Sequence, residues 1–286
     1  MQNHRTSIRK DKRATSPAIS TVILTGAVVV MILVAMTFAN NTLGLKMAQN
    51  EYNTNKQFMQ TTGQQIDDIA WTVGRTQTIT YSSNYGSVKF QSVALDYTFH
   101  VHSTSKGWQT LTLSGETGII LYNMPVGSYS LGSSYFERVP LGSDNSFLQS
   151  DSTAPISQVI CEQKLPMSDG SYNRIALVPT MRVLSSNVGS TSYLKFYLPN
   201  LENGTNHYRS QSITLTGEGI SKGTKTGVDQ VTITVSFPKA SLGFDSSFFH
   251  FKSTTITLNN LSTPKLPPNS LVEFYVGNVV VALGQV

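Results

Sequence analysis

The hydrophobic and polar positions change their pattern twice along the chain. No charged residue occurs from residue 14 to residue 45, and the 22 residues 18–39 are apolar apart from four serine or threonine side chains. At about 1.5 Å per residue, a helix of this length extends about 33 Å, which is enough to cross a bilayer core of about 30 Å. The pattern predicts a transmembrane or helix-packing segment over residues 15–43.

The next thirty residues have the one-sided pattern of an amphipathic helix. No proline interrupts the chain between Pro17 and Pro125. Mostly apolar residues recur at alternating spacings of three and four, which is the helical period. The series is Leu45, Ala48, Tyr52, Asn55, Met59, Thr62, Ile66, Ile69 and Val73. We expect the helix to continue as a stalk over residues 44–74 and to stop at Gly74, although an ordinary amphipathic core helix fits the same pattern.

From Thr76 onward the pattern favours strands. Runs rich in Val, Ile, Thr, Tyr and Phe are separated by Gly, Ser, Asn and Pro, which predicts about ten strands. They cover residues 87–103, 108–114, 118–123, 156–165, 175–184, 192–198, 212–217, 231–237, 254–258 and 271–283. The glycine- and lysine-rich residues 217–227 predict a mobile hairpin tip. The predicted fold is α+β and lollipop-like, with a long N-terminal membrane or filament helix and an antiparallel β-sandwich head over residues 75–286. A single domain is favoured for the head, and the alternative is two lobes that are split near 142–155.

Composition and charge narrow the function classes. A single cysteine excludes a disulfide scaffold, and 13% charged residues, against about 25% in soluble domains, argues against a charged disordered chain. Of the net charge of +5, the leader 1–14 contributes +4, from five basic residues and one acidic residue. Because this basic cluster precedes an apolar run, it predicts a cytoplasmic N-terminus followed by an exported chain, and no nucleic-acid partner.

The junction between the leader and the apolar run carries a family resemblance. It reads Lys12-Arg13-Ala14-Thr15-Ser16-Pro17. This order resembles the N-terminus of archaeal type IV pilins, whose leader ends in a basic residue and Gly or Ala, before an apolar helix that begins with Ser-Pro. The resemblance covers about residues 12–40 and implies that a prepilin peptidase recognises Arg13 and Ala14 and cuts before Thr15. Ser16 and Pro17 would then open the mature helix, where a proline loses no intrahelical hydrogen bond.

The resemblance implies a pilin-like structural subunit, major or minor, that contacts other pilin subunits through its apolar helix. Its β-rich head would be exposed for adhesion or surface contact. The protein would lie in the cell membrane as a single-pass protein with a cytoplasmic N-terminus, in an extracellular filament, or in both in turn. The alternative is a permanently anchored extracellular β-sandwich that serves as a binding or envelope protein, with its leader uncleaved.

A third hypothesis is an anchored enzyme, but the sequence gives little indication of a metal site or a nucleophile. His100 and His102 alternate along a strand and share a face, but no third metal ligand lies near them in sequence, so we expect solvent-facing residues. Ser103 and Lys106 have the Ser-x-x-Lys spacing in a predicted turn, which favours chance over a nucleophile. We predict no catalytic residue, no metal, no cofactor and no enzymatic activity.

Two further predictions concern glycosylation and the single cysteine. The sequons that begin at Asn203 and Asn260 are candidate glycosylation sites in an exported protein, and both are expected in loops. Cys161 lies in an apolar strand and is expected to be buried and inert.

Overall fold

The computed structural model describes residues 15–111, 113, 115–132, 135–139, 146–150, 157–167, 170–189, 191–206 and 210–284. The chain forms two compact units, Met1–Met47 and Ala48–Val286. A long N-terminal helix is followed by a large unit that is mostly β-strand. The elements are α1 Thr15–Ile69, β1 Thr76–Thr80, β2 Ser87–Ser103, β3 Gly107–Thr110, β4 Glu116–Pro125, β5 Phe136–Val139, β6 Leu148–Gln149, β7 Ser157–Met167, β8 Gly170–Pro179, β9 Met181–Val188, β10 Thr191–Asn206, β11 Ser212–Ser236, the short α2 Ser246–Phe249, β12 Thr255–Leu258 and β13 Ser270–Leu283.

The strands of the second unit form one sheet with a buried core on each side. Its order is β5-β7-β8-β4-β2-β11-β13-β10-β9-β6, with β1 and β12 also paired to β11 and β3 to β2. Successive residues of the central strands are buried in the two cores alternately. On β4, Ile119 and Leu121 belong to one core, and Ile120 and Tyr122 belong to the other. The division into two lobes near 142–155 falls largely outside the described residues, and the sandwich arrangement stays a prediction.

The prediction of a purely antiparallel head is wrong for two strand pairs. β10 and β13 are parallel over most of their length, and the two-residue β6 pairs in parallel with β9. β13 lies between β10 and β11 and is antiparallel to β11. Because the chain reverses between β10 and β11, a strand inserted between them must be parallel to one of the two.

The predicted hairpin tip over residues 217–227 lies inside a strand. β11 runs through it and pairs with β13, and Lys222 Nζ lies 2.7 Å from Glu273 Oε1. At Gly217 and Gly223, glycine allows close approach rather than a turn. A Cβ on Gly223 would lie 2.6 Å from the side chain of Leu111 and 2.8 Å from that of Leu113. The predicted strand over 175–184 is likewise corrected, because Thr180 separates β8 from β9.

The amphipathic prediction for residues 48–69 agrees with the burial of this part of α1. Seven of the nine positions of the series are buried against the sheet: Ala48, Tyr52, Asn55, Met59, Thr62, Ile66 and Ile69. Leu45 and Val73 are exposed. The helix ends at Ile69 rather than near Val73, and Gly74 has the left-handed φ of 81° only after an intervening turn.

Candidate assembly surface

The helix of the N-terminal unit is apolar on every side. Between residues 19 and 38, thirteen large apolar side chains are exposed. The apolar part of the helix is not buried within the structure, so by length and composition the helix could cross a membrane. Leaving one such side chain in water instead of burying it costs about 1.5–3 kcal/mol. This surface, which we call the apolar helix surface and define as residues 19–45, therefore favours an apolar environment.

The polar side chains of the apolar helix surface are partly satisfied within the helix. The hydroxyl groups of Thr25, Thr37 and Thr42 each donate to the carbonyl oxygen four residues earlier, at 2.8, 2.9 and 2.9 Å. A hydroxyl that donates to its own helix has less need of water, which lowers the cost of its transfer into an apolar environment. The surface is chemically compatible with lipid tails and with other apolar helices.

The predicted processing residues lie at the edge of the described chain. Lys12, Arg13 and Ala14 fall outside the described residues. The helix already includes Thr15, and Ser16 and Pro17 follow within its first turn. A proline there removes no intrahelical hydrogen bond, because the first four amides of a helix have no acceptor within it. The cut before Thr15 stays a prediction.

Glu51 links α1 to the segment between β1 and β2 and to β4. The residue is 5% exposed. Its carboxylate accepts five hydrogen bonds: Oε1 from the amides of Tyr85 (2.9 Å) and Gly86 (3.1 Å) and the hydroxyl of Tyr122 (2.8 Å), and Oε2 from the amide of Asn84 (3.0 Å) and the hydroxyl of Ser82 (3.1 Å). We call this arrangement the Glu51 cradle. It fixes the buried carboxylate within the β-rich unit.

The Glu51 cradle also determines the ionisation of its carboxyl group. Glu51 lies outside the stretch 18–39 that we treat as membrane-spanning. Burial by itself raises the pKa of Glu51, but the hydrogen bonds from the Tyr85 amide, the Tyr122 hydroxyl and the amides of Asn84 and Gly86 outweigh burial. The pKa of Glu51 is therefore below its ordinary value, and the ionised form is stabilised.

A second polar contact follows one turn later on α1. Lys56 Nζ lies 2.5 Å from Glu137 Oε1 on β5, and the Tyr135 hydroxyl donates to the other oxygen of Glu137. The side-chain amide of Asn55 donates to the carbonyl of Ser82 at 2.8 Å. These contacts hold residues 48–69 in one orientation on the sheet.

The end of α1 approaches the sheet closely at two glycines. A Cβ on Gly217 of β11 would lie 2.6 Å from the carbonyl oxygen of Ile69 and 2.7 Å from that of Thr72. A Cβ on Gly277 of β13 would clash with the backbone of Ala70. The Gly74 amide then donates to the Gly217 carbonyl at 2.7 Å. Glycine is required at both strand positions because backbone meets backbone there.

The two histidines share a face of β2, and each has a protein partner. His100 Nδ1 lies 3.1 Å from the Thr110 hydroxyl, and His102 Nδ1 lies 2.6 Å from Asp229 Oδ1. Among the described residues, no group of three His, Cys, Asp or Glu side chains is arranged to hold a metal ion. That the protein binds no metal stays a prediction.

The other residues singled out in the sequence are dispersed. Ser103 and Lys106 flank the turn between β2 and β3, where the Lys106 amide donates to the Ser103 carbonyl at 3.3 Å. Asn260 is exposed in a turn, as expected. Asn203 is exposed but lies in β10 rather than in a loop, and its Oδ1 accepts from the Asn206 amide group at 2.8 Å. The side chain of Cys161 lies outside the described part of the chain.

Glu51 is the principal residue that the sequence analysis did not single out. It is three residues after Ala48 and four before Asn55, so the helical period places it on the buried face together with Tyr52. A charged residue on an otherwise buried helix face is a signal for a specific hydrogen-bonding environment.

The chain was compared with protein-family models, with curated proteins and with solved structures, and none of them matches it.

Proposed function

We propose that the chain is a pilin-like structural subunit, major or minor, of an archaeal type IV pilus or a related surface filament. A prepilin peptidase removes residues 1–14, and the apolar helix then leaves the membrane to pack among the helices of other subunits. The β-rich unit is displayed for adhesion or surface contact. The observation that carries the proposal is the apolar helix surface, which directly follows the junction Lys12-Arg13-Ala14-Thr15-Ser16-Pro17.

The apolar helix surface supports a subunit that moves from lipid into a filament. Association of helices within a membrane depends on packing and hydrogen bonding, because lipid tails are as apolar as the side chains. A helix without charged residues loses little when its lipid neighbours are replaced by other apolar helices. The absence of charge from residues 14–45 removes the largest barrier to that exchange.

The polar contacts of residues 48–69 support the same proposal. The Glu51 cradle and the 2.5 Å contact between Lys56 and Glu137 attach this part of α1 firmly to the sheet. A filament subunit needs such an attachment, because the β-rich unit must stay bound to its helix when the filament is pulled.

The decisive experiment is the intact mass of the protein purified from cells that contain a prepilin peptidase. We expect a mature chain that begins at Thr15. Arg13→Ala should retain the leader, whereas Arg5→Ala, which removes a leader charge away from the junction, should still be cut. An intact leader in the wild-type protein would overturn the proposal and favour the permanently anchored binding or envelope protein.

Polymerisation is tested separately on sheared surface filaments. Antibodies against the β-rich unit should label them in immunogold electron microscopy, and Arg13→Ala should abolish the labelling. A processed protein that stays in the membrane fraction, with unlabelled filaments, would contradict the filament role.

A further inference from the structure

Four strands of the β-rich unit present an outward face that is rich in hydroxyl groups. The C-terminal half of β2 lies beside the C-terminal half of β11, β3 pairs with the other side of β2, and β12 pairs with the other side of β11. Directly opposed residues of antiparallel strands point to the same face. The outward-facing side chains therefore form rows across the four strands, and we call this surface the hydroxyl face.

Two rows of the hydroxyl face consist of threonines and one histidine. One row contains Thr110, His100, Thr232 and Thr257, and the other Thr98, Thr234 and Thr255. The hydroxyl groups of Thr232 and Thr257 lie 3.2 Å apart, and those of Thr234 and Thr255 lie 3.3 Å apart. Neighbouring strands are about 4.8 Å apart and successive outward residues about 6.8 Å apart, so the side chains form a regular grid.

The third row contains Trp108, His102 and Gln230 and places an aromatic ring beside the other two rows. Trp108 is 54% exposed, and its ring centroid lies 5.1 Å from that of His102. A bulge between Val228 and Gln230 leaves Asp229 as an extra residue of β11, and the Asp229 carboxylate holds His102 at 2.6 Å. Bulges often redirect a side chain in this way near functional sites. The bulge thus orients the histidine that supports the exposed indole.

Among the described residues of these strands and of the turn between β2 and β3, the charged side chains near the hydroxyl face lie at its margins. Asp96 and Glu116 are opposite each other beyond the Thr98 row, and Lys106 lies in the turn beyond Trp108. Within the three rows, the carboxylate that reaches the surface is that of Asp229, and it is paired with His102. In the described part of the chain, the face therefore offers hydroxyl groups, imidazoles, the side-chain amide of Gln230 and one indole, with little net charge.

We propose that the hydroxyl face binds a neutral polysaccharide. A sugar ring has an apolar face of C–H groups, which packs on an exposed indole, and a rim of hydroxyl groups, which exchange hydrogen bonds with threonine, histidine and glutamine side chains. An uncharged ligand matches a face with little charge, whereas a nucleic acid or an anionic lipid surface requires a cluster of lysine and arginine. The regular spacing of the rows fits an extended chain of sugars. The inference deepens the proposed function and rests on it, because it names the ligand class of the displayed β-rich unit.

The test uses the full chain in detergent, incubated with suspensions of cellulose, chitin and insoluble mannan, with calcium-gelled alginate beads as an anionic control. We expect the wild-type protein to sediment with at least one neutral polysaccharide and not with alginate. Trp108→Ala should reduce the bound fraction about tenfold, as the loss of a main aromatic contact does. Asp229→Asn should reduce the bound fraction severalfold, because it weakens the contact that holds His102. Ile220→Ala removes an exposed apolar side chain ten residues before Gln230 on the same strand, and it should bind like the wild type.

The outcomes separate this inference from the filament role. Circular dichroism spectra and unfolding curves must show that each variant is folded. If Trp108→Ala does not fold, Asp229→Asn provides a second, milder change of the same face. A folded wild-type protein that binds none of the neutral polysaccharides, or whose binding is unchanged in Trp108→Ala, overturns the inference. Removal of the leader and filament labelling are measured independently, so they can succeed when polysaccharide binding fails. Self-association through the face, abolished by Trp108→Ala and without polysaccharide binding, would also overturn it.

Discussion

The hydroxyl of Tyr122 on β4 donates a 2.8 Å hydrogen bond to the carboxylate of Glu51 on α1, across 71 residues of sequence. Backbone amides of the segment that precedes β2 donate to the same carboxylate. One ionised side chain therefore ties three parts of the β-rich unit together. Its removal would leave several donors in a buried place without their acceptor, which is more costly than the loss of an exposed contact.

The first prediction concerns the stability of the β-rich unit. Glu51→Ala should lower its free energy of unfolding by about 3 kcal/mol, because buried donors lose a charged acceptor. Urea unfolding of the full chain in detergent, followed by near-ultraviolet circular dichroism, measures this change. Glu116→Ala, which removes an exposed carboxylate from β4, should change stability by less than about 0.5 kcal/mol. Equal stabilities of the two variants would contradict the role of the Glu51 cradle.

The second prediction concerns pH. The pKa of Glu51 is lowered in the folded state, so its contribution to stability is complete above its ordinary value of 4.5 and is lost as the pH falls through the folded-state pKa. The melting temperature of the wild-type protein should therefore decrease between about pH 5 and pH 3. The Glu51→Gln variant should have a lower melting temperature than the wild type at pH 7. Its melting temperature should also decrease less on acidification. Parallel melting curves for the two proteins over this range would show that Glu51 is not the group responsible.

The local period of the sequence predicts much of the fold. The spacing from Ala48 to Ile69 predicts the buried face of α1, because every turn of a helix returns a side chain to the same side. The strand Ser87–Ser103 is predicted with the bounds that the structure has, since its alternation is long and a turn follows. Such features depend on neighbours within a few residues of each other.

Other features depend on contacts between distant parts of the chain. Gly217 and Gly223 resemble turn residues in the sequence, but glycine is needed there because two carbonyl groups approach Gly217 and two leucine side chains approach Gly223. The parallel pairing of β10 with β13 follows from the insertion of a late strand, which no local pattern shows. The hydrogen bonds of Glu51 are also not predictable, because their donors are mostly backbone amides, which carry no residue-specific signal.

The third prediction tests the close approach of α1 to β11. Gly217→Ala places a Cβ 2.6 Å from the Ile69 carbonyl oxygen, and backbone atoms there cannot move aside as a side chain can. We expect a loss of about 2 kcal/mol of unfolding free energy. Gly219→Ala is a matched control two residues later on the same strand, where a Cβ would meet no atom within 4 Å. If urea unfolding gives equal stabilities for both variants, the close packing of the helix end is not required.

The fourth prediction tests the apolar helix surface. Val30→Arg places a charge near the middle of residues 18–39, and in lipid this costs about 2.5–3.5 kcal/mol at a helix centre. We expect less protein in the membrane fraction, and labelled filaments should be lost as well, because neither environment solvates the guanidinium group. The amounts are compared by immunoblot of membrane and sheared fractions.

Thr25→Val is the control for the fourth prediction. The Thr25 hydroxyl donates to the Thr21 carbonyl, so its replacement removes a polar group that is already satisfied within the helix. Thr25→Val should therefore change the amount of protein in the membrane and sheared fractions only slightly. If Val30→Arg behaves like Thr25→Val, residue 30 faces water rather than lipid or a neighbouring helix, and the apolar helix surface is not the assembly surface. If Val30→Arg is absent from filaments but present at the normal level in the membrane fraction, helix packing tolerates the charge less than lipid does. The physical reason is that an arginine in lipid can extend its charge to the membrane surface, whereas one at a helix interface cannot.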